Sequence, residues 1–259
     1  MKYMGSKSRI AKHIIPIIQK LIDDNNIQYY VELFCGGCNI IDKIQCKHKV
    51  ANDINPFLIE LLKAQQSNKL RELPIHVTKE HYNEVREEYN RFKNNPYEDD
   101  ILKQYDLWYV GAIGFLASYN GRFFDGGYSG VITEKTGRKR DFYDEAKRNL
   151  EQQDLTGIDF YCVEYDKLYT KNMKPSLFYL DPPYQNTKQY NYSKNFDYEE
   201  FWNFVRDLSK DNIVLISEQI APEDFDIIWE QPITRSIGNR TLDNVKNKDV
   251  TEKLFRFKG

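Results

Sequence analysis

Residues 176–180, Ser-Leu-Phe-Tyr-Leu, run directly into Asp181-Pro182-Pro183-Tyr184, and no other junction in the 259-residue chain constrains the fold as tightly. A short, continuously apolar run of this kind reads as a buried strand, and the two prolines end it. An acid, two residues without N–H groups and an aromatic ring therefore lie just past a strand's carboxyl end, which is where open α/β sheets bind ligands. Proline donates no hydrogen bond and its φ is fixed. The Asp181 carboxylate and the Pro182 carbonyl are left as two acceptors with no competing donor beside them, and Tyr184 offers a flat face. That set suits an exocyclic amino group on a planar base. A strand ending in a proline turn, with Tyr184 as packing, would have the same local sequence, so the remaining chain has to decide.

The N-terminal third supports an α/β domain. Ser6 can cap a helix over residues 7–23, with Ile10, Ile14, Ile17, Ile18 and Leu21 on one face and a kink at Pro16. Residues 28–34 read as a strand that ends in Cys35-Gly36-Gly37-Cys38-Asn39. A short helix over 40–44 follows, then a strand over 49–53. Asn55-Pro56, a cap followed by proline in the first turn, opens a helix to about residue 66. Strand, glycine loop, helix, strand, helix is the opening of a doubly wound sheet.

Glycines after a strand allow a ligand close to the backbone, and Asp53, at the end of the next strand, can take both hydroxyls of a ribose. The dinucleotide pattern G-x-G-x-x-G is absent, since only Gly36 and Gly37 are present. A nucleoside without a pyrophosphate fits better than NAD. Cys35-Gly36-Gly37-Cys38 is also a C-x-x-C, with Cys46, His48 and Cys162 as further conceivable ligands, but no second C-x-x-C follows. No metal is expected; these cysteines stand where strands and a glycine turn take small buried residues.

From residue 70 to 154 the pattern changes to polar and helix-like, with helices expected over 78–92, 101–117 and 144–153. Between them lies the glycine- and aromatic-rich stretch 118–130. Val131-Ile132-Thr133 can pair with 138–142 as a hairpin. This region reads as an insertion between the second and third strands of the sheet. Its aromatics and basic residues suit groove contacts and base stacking, and an aromatic mini-core can coexist with that role. Strands over 158–163, 212–217, 225–229 and 251–257 and a helix over 199–208, capped by Asp197, complete the domain. The polar, tyrosine-rich stretch 185–196 suits a loop closing over the site.

Net charge is −2, so charge alone does not announce a nucleic-acid binder. Its distribution is more telling. Residues 1–22 contain no acid, Arg138-Lys139-Arg140 is a tight basic cluster, and Arg235, Arg240, Lys246 and Lys248 thicken the C-terminal region. On one surface these would form a phosphate-binding stripe. No run is long enough to span a bilayer, and the basic N-terminus lacks the apolar core of a signal peptide. With four cysteines, the expectation is a cytoplasmic protein with reduced thiols.

Taken in order, Lys2-Tyr3-Met4-Gly5-Ser6-Lys7, Glu32-Leu33-Phe34-Cys35-Gly36-Gly37, Asn52-Asp53-Ile54-Asn55, Tyr119-Asn120-Gly121 and Asp181-Pro182-Pro183-Tyr184 resemble the Dam-type (D12 class) DNA adenine N6-methyltransferases over nearly the whole chain. The resemblance implies S-adenosylmethionine as cofactor and a Rossmann-like, seven-stranded methyltransferase sheet formed by residues 1–69 and 155–259. It further implies that residues 70–154 are a mostly helical target-recognition subdomain carrying a β-hairpin. It implies that Tyr3, Lys7 and the backbone of Phe34, Cys35, Gly36 and Gly37 meet the methionine end of the cofactor, Lys7 pairing its carboxylate. Asp53 would hold the ribose, with Glu164 and Tyr165 at the cofactor's adenine. Lys2, Tyr119, Asn120 and Arg122 fall where the family touches DNA, and Arg138, Lys139 and Arg140 join them as phosphate contacts. Arg122-Phe123-Phe124-Asp125-Gly126-Gly127 departs from the usual Dam stretch, so the resemblance carries over the reaction and not a GATC target.

The implied reaction is methylation of a flipped-out adenine in double-stranded DNA by Asp181, Pro182, Pro183 and Tyr184, with a monomer favoured and a restriction–modification setting among those open. Methylation of cytosine N4 or of an RNA base would use the same acceptors. A catalytically silent binding module is disfavoured by the intact Asp-Pro-Pro-Tyr, and a dinucleotide oxidoreductase by the missing glycine pattern.

Overall fold

The computed structural model describes residues 3, 5–97, 104–168, 172–185, 196–234 and 249–259. Seven strands form one sheet: β1 (Tyr29–Glu32), β2 (His48–Asn52), β5 (Ile158–Tyr161), β6 (Ser176–Leu180), β7 (Ile213–Glu218), β8 (Phe225–Thr234) and β9 (Asp249–Phe257). Their spatial order is β5-β2-β1-β6-β7-β9-β8. The pairings among β5, β2, β1, β6 and β7 are parallel, and β9 joins β7 and β8 antiparallel. The chain order runs outward from β1 toward β5 on one side and from β6 toward β8 on the other. The reversal falls between β1 and β6, whose carboxyl ends therefore open a crevice.

Strand alternation assigns the two faces. Leu177 and Tyr179 of β6 join the core beneath α1 (Ala11–Asp24), α2 (Pro56–Gln66) and α4 (Leu107–Leu116), while Phe178 and Leu180 pack with Phe201, Trp202 and Val205 of α6 (Tyr198–Ser209). Burial on both faces is why the strand reads as an unbroken apolar run. All five of its residues are buried. Asn55 caps α2 as expected, its side chain accepting from the N–H groups of Phe57 and Leu58 at 3.1 and 3.3 Å. Asp197 caps α6 through Glu200 N–H at 2.9 Å.

The insertion lies between β2 and β5 in the chain. It contains α3 (Lys79–Phe92), α4, the hairpin β3 (Val131–Thr133) with β4 (Lys139–Asp141), and α5 (Phe142–Glu151). Its α4 packs directly on α2, and a Cβ on Gly111 would stand 2.2 Å from the Phe57 carbonyl oxygen. One continuous core runs from Ile10 through α2 and α4 to Leu150. The aromatic loop supplies part of that core: Phe124 is buried, and the Phe123 ring lies 4.5 Å from Phe115 and 5.0 Å from Tyr89.

Several expected boundaries move. The helix expected over 7–23 is split into a 3-10 turn at Lys7–Arg9, which Ser6 caps, and α1 from Ala11. On α1 the buried residues are Ala11, Ile14, Ile18 and Ile22, and Ile10 before it is buried too, while Ile17 and Leu21 are only half-buried because they flank that i, i+4 stripe. Pro16 lies within α1 on an exposed position, where the amide it lacks faces water. The helix expected over 40–44 is a 3-10 turn at Ile41–Lys43. In the insertion α4 begins at Leu107, and residues 101–103 lie outside the described residues. The final helix of the insertion starts earlier than expected, because Asp141 caps it by accepting from Tyr143 and Asp144 N–H. Among the described residues no helix is long and apolar enough to cross a membrane.

Candidate active site

The Asp181-Pro182-Pro183-Tyr184 turn leaves β6 at the switch point and is held at each step. Lys7 Nζ stands 2.7 Å from Asp181 Oδ1, with Lys7 8% and the Asp181 side chain 19% exposed. Burial pushes the Asp181 pKa up to about 6; the Lys7 ammonium opposes that shift, and the charge of Glu252 adds to it. The Pro183 carbonyl accepts from Tyr198 Oη at 2.8 Å, and the Gln185 N–H donates to Glu218 Oε1 at 2.8 Å. The Tyr184 hydroxyl donates to Glu252 Oε2 at 2.5 Å and lies 3.4 Å from Ser217 Oγ. Lys7 Nζ is also 4.4 Å from the centre of the Tyr184 ring. The residue expected to meet the cofactor thus bridges two of the residues expected to do the chemistry.

The second half of the crevice is the loop after β1. Gly36 has φ +47° and Cys38 φ +53°, and the Tyr3 ring closes over the loop: a Cβ on Gly36 would meet Tyr3 Cε1 at 3.0 Å. Cys35 N–H bonds the Asn52 carbonyl at 2.8 Å, pinning the loop to the end of β2. Asp53 accepts from Gly36 N–H at 3.1 Å and from Asn55 N–H at 3.0 Å. Burial raises its pKa to about 6 against those two bonds. Each oxygen of a carboxylate has a second lone pair, so Asp53 keeps acceptor capacity for further donors. Beside it Ile54 is 44% exposed, an apolar surface at the rim.

Other expected residues are partly united with this group. The Phe34 ring lies 5.4 Å from that of Tyr165, which packs with Phe196, Phe201 and Phe204. Glu164 is exposed next to it. Tyr119, 56% exposed, and Asn120, exposed with φ +55°, stand on the loop that Ser118 and Tyr128 close by a β-bridge. Arg122 is half-buried behind them. Arg138 and Lys139 are exposed on the hairpin, whereas Arg140 is held by two bonds to Glu145, at 2.6 and 2.9 Å, and is less available to phosphate than its neighbours. Lys2, Arg235, Arg240, Lys246, Lys248 and the loop expected over 185–196, apart from its two end residues, lie outside the described residues. Cys35, Cys38, Cys46 and Cys162 are free thiols; burial raises the pKa of Cys35, and that of Cys38 is raised against its hydrogen bond with Cys35 by burial and the neighbouring acids.

Sequence reasoning missed the supports. Gln153, just past α5, donates through Nε2 to the carbonyls of both Gly37 and Cys38 at 3.0 Å, tying the insertion to the glycine loop. Asn52 bonds Leu33 and Val163 through its side chain, joining the ends of three strands. Tyr30 Oη donates to Glu32 Oε1 at 2.8 Å in the buried part of β1, and burial raises the Glu32 pKa to about 8, leaving it protonated near neutrality. Glu218 was detectable as an acid at the end of an apolar strand, whereas Glu252 stands among polar residues of β9 and carried no such signal. A carboxylate kept in a buried strand needs a partner.

Residues 3–231 match the family described as D12 class N6 adenine-specific DNA methyltransferase. The chain is 25% identical over 195 residues to the Type II methyltransferase M.FokI of Planomicrobium okeanokoites, covering 71% of this chain and 28% of that protein. It is 27% identical over 213 residues to the modification methylase StsI of Streptococcus sanguinis, covering 75% of this chain and 30% of that one. Type II methyltransferase M.MjaIII of Methanocaldococcus jannaschii is 24% identical over 204 residues, 71% of this chain and 68% of its own length. The chain spans less than a third of the first two of these relatives.

Proposed function

Because this chain belongs to the D12 class N6 adenine-specific DNA methyltransferase family, we propose that it transfers a methyl group from S-adenosylmethionine to the N6 of a flipped-out adenine in a specific double-stranded DNA sequence. The observation that carries this reading is the meeting, at one switch point, of a glycine loop braced by Asp53 and a fixed Asp181–Tyr184 turn.

The family uses S-adenosylmethionine, and the residues fit it. Lys7 supplies a buried ammonium for a carboxylate, Asp53 keeps acceptor capacity for ribose hydroxyls, and Ile54 offers apolar surface beside it. Gly36, with its positive φ and Tyr3 overhead, leaves the loop backbone without a side chain there. When bound, the cofactor supplies an electrophilic methyl group on a positively charged sulfur.

A base inside a duplex cannot enter the crevice, so the adenine has to leave the stack at a cost of a few kcal/mol. Tyr184 recovers part of that by stacking. Adenine N6 is a poor nucleophile because its lone pair is delocalised into the ring. Asp181 and the Pro182 carbonyl accept its two hydrogens, which favours a pyramidal nitrogen with a directed lone pair. Positive charge grows on N6 in the transition state, and a fixed carboxylate stabilises it there more than in the ground state. Asp181, with a pKa near 6, can then take the released proton.

In this reading residues 70–154 recognise the target, with Tyr119 and Asn120 at the bases and Arg138 and Lys139 at phosphates; their exposure supports it. Lys2, Arg122 and Arg140 complete the set, Arg140 as the tethered member. We take the protein to act in the cytoplasm as a monomer. The relatives named as type II methyltransferases and a modification methylase favour a role beside a restriction activity.

The test is to incubate the protein with labelled S-adenosylmethionine and unmethylated duplex DNA, digest to nucleosides and identify the labelled one. Label in N6-methyldeoxyadenosine is expected. Label in N4-methyldeoxycytidine would keep the acceptors and overturn the base assignment; absence of label from DNA would overturn the DNA reading.

A further inference from the structure

Stacking on a base needs only the face of a ring, which phenylalanine would supply equally. Yet the hydroxyl of Tyr184, at the far end of the side chain from its backbone, is anchored. Its partner is Glu252, a residue of β9 and only 6% exposed, with Oε2 2.5 Å from the phenol oxygen. Ser217 of β7, fully buried, stands 3.4 Å from the same oxygen. A hydroxyl held by a buried carboxyl group at this distance is fixed in place. The ring also faces the Lys7 ammonium, itself on Asp181. Acid, phenol, ammonium and acid therefore form one connected chain: Glu252, Tyr184, Lys7, Asp181.

We infer that Glu252 is a positioning residue for methyl transfer: by holding the Tyr184 hydroxyl it fixes the plane on which the target base stacks, and so the approach of the acceptor nitrogen to Asp181. This rests on the reading that Tyr184 meets the target base. A tyrosine has two side-chain torsions, and the chain on either side of it is held, by Tyr198 on the Pro183 carbonyl and by Glu218 on the Gln185 N–H. Anchoring the hydroxyl removes the remaining ring freedom. Pre-organisation of this kind acts on the rate of the chemical step, because small misplacements of reacting atoms are costly. It is expected to leave cofactor affinity nearly unchanged, since the bond that Glu252 makes is to Tyr184, the residue that meets the target base. Burying an acid on β9 with no such purpose would only weaken the strand, and an apolar residue would fill the site at lower cost.

The experiment compares Y184F, E252A, E252Q and the double variant E252A/Y184F in the full chain. Single-turnover methyl transfer into duplex DNA is measured at saturating labelled S-adenosylmethionine, with cofactor affinity by calorimetry. Y184F and E252A are each expected to slow transfer about tenfold, the worth of one buried hydrogen bond. The double variant should be no slower than the slower single one. E252Q, which keeps an acceptor oxygen of the same reach, should lose only about threefold. Cofactor affinity should stay within about twofold throughout. Wild-type rates in Y184F, multiplying losses in the double variant, or affinity falling in step with rate would each overturn the positioning role. Should E252A fail to fold by thermal melting, E252Q and E252Q/Y184F give the same cycle with smaller steps. A Y184F variant as fast as an active wild type would sink this inference alone. A wild type that labels no DNA base would remove the underlying reading and the inference together.

Discussion

Lys7 Nζ lies 2.7 Å from Asp181 Oδ1, so the N-terminal turn of the chain places the ammonium of the expected cofactor contact on the carboxylate of the expected catalytic turn. A buried carboxylate by itself would protonate near neutrality. Lys7 is what holds Asp181 down to about 6.

The sign of that effect gives the first prediction. In the proposed mechanism Asp181 acts ionised, so the wild-type rate should rise with pH through about 6 and level off above it. In K7M the opposing charge is gone and the limb should move up by at least about one pH unit. The profile of kcat at saturating S-adenosylmethionine reads this directly. A limb that stays near 6 would mean that Lys7 does not keep Asp181 ionised.

D181A should lose methyl transfer by at least about a thousandfold, the scale of removing one fixed charge-stabilising group. Its cofactor affinity should equal or exceed that of the wild type, because Lys7 is no longer shared between two carboxylates. D53A should show the opposite pattern, with affinity falling at least about tenfold as one charged hydrogen-bond acceptor is lost. Calorimetry on the two variants separates the roles; weak binding in D181A or full affinity in D53A would exchange or cancel them.

Glu32 makes stability fall with rising pH. Its folded pKa is raised to about 8 from an ordinary value of 4.5, so between those limits the folded state holds more protons than the unfolded one. The stabilisation is complete below about 4.5 and lost as pH climbs through about 8, on the order of several kcal/mol. E32Q, neutral at every pH, should lack this slope and outlast the wild type at pH 8.5. Urea midpoints at pH 5 and 8.5 measure it; parallel slopes in the two proteins would refute the assignment.

Gly111 tests the seam between the insertion and the sheet domain. An added Cβ would lie 2.2 Å from the Phe57 carbonyl oxygen, and backbone on both sides has to shift. G111A should lower stability by about 2–3 kcal/mol or more. A melting temperature within a degree or two of the wild type would show that α4 can slide on α2 without loss.

Much of this molecule was legible in its sequence because much of it is locally dictated. The apolar run before Asp181 could only be a strand covered on both faces, and two prolines could only end it. Asn55-Pro56 fixed the start of α2, Gly36 and Gly37 marked the turn after β1, and Glu134–Gly137 closed a hairpin where turn residues demanded one. Each of these follows from torsions and hydrogen bonds within a few residues. Local pattern failed first at Ile10, where a helical period continued but the chain breaks it and Lys7 is carried into the crevice. The contacts that make the crevice a site are Lys7 on Asp181, Glu252 on Tyr184 and Gln153 on the glycine loop. Each joins residues far apart in the chain, and each depends on sheet order and register. No local period encodes which strand lies next to which, so only the assembled sheet could decide them.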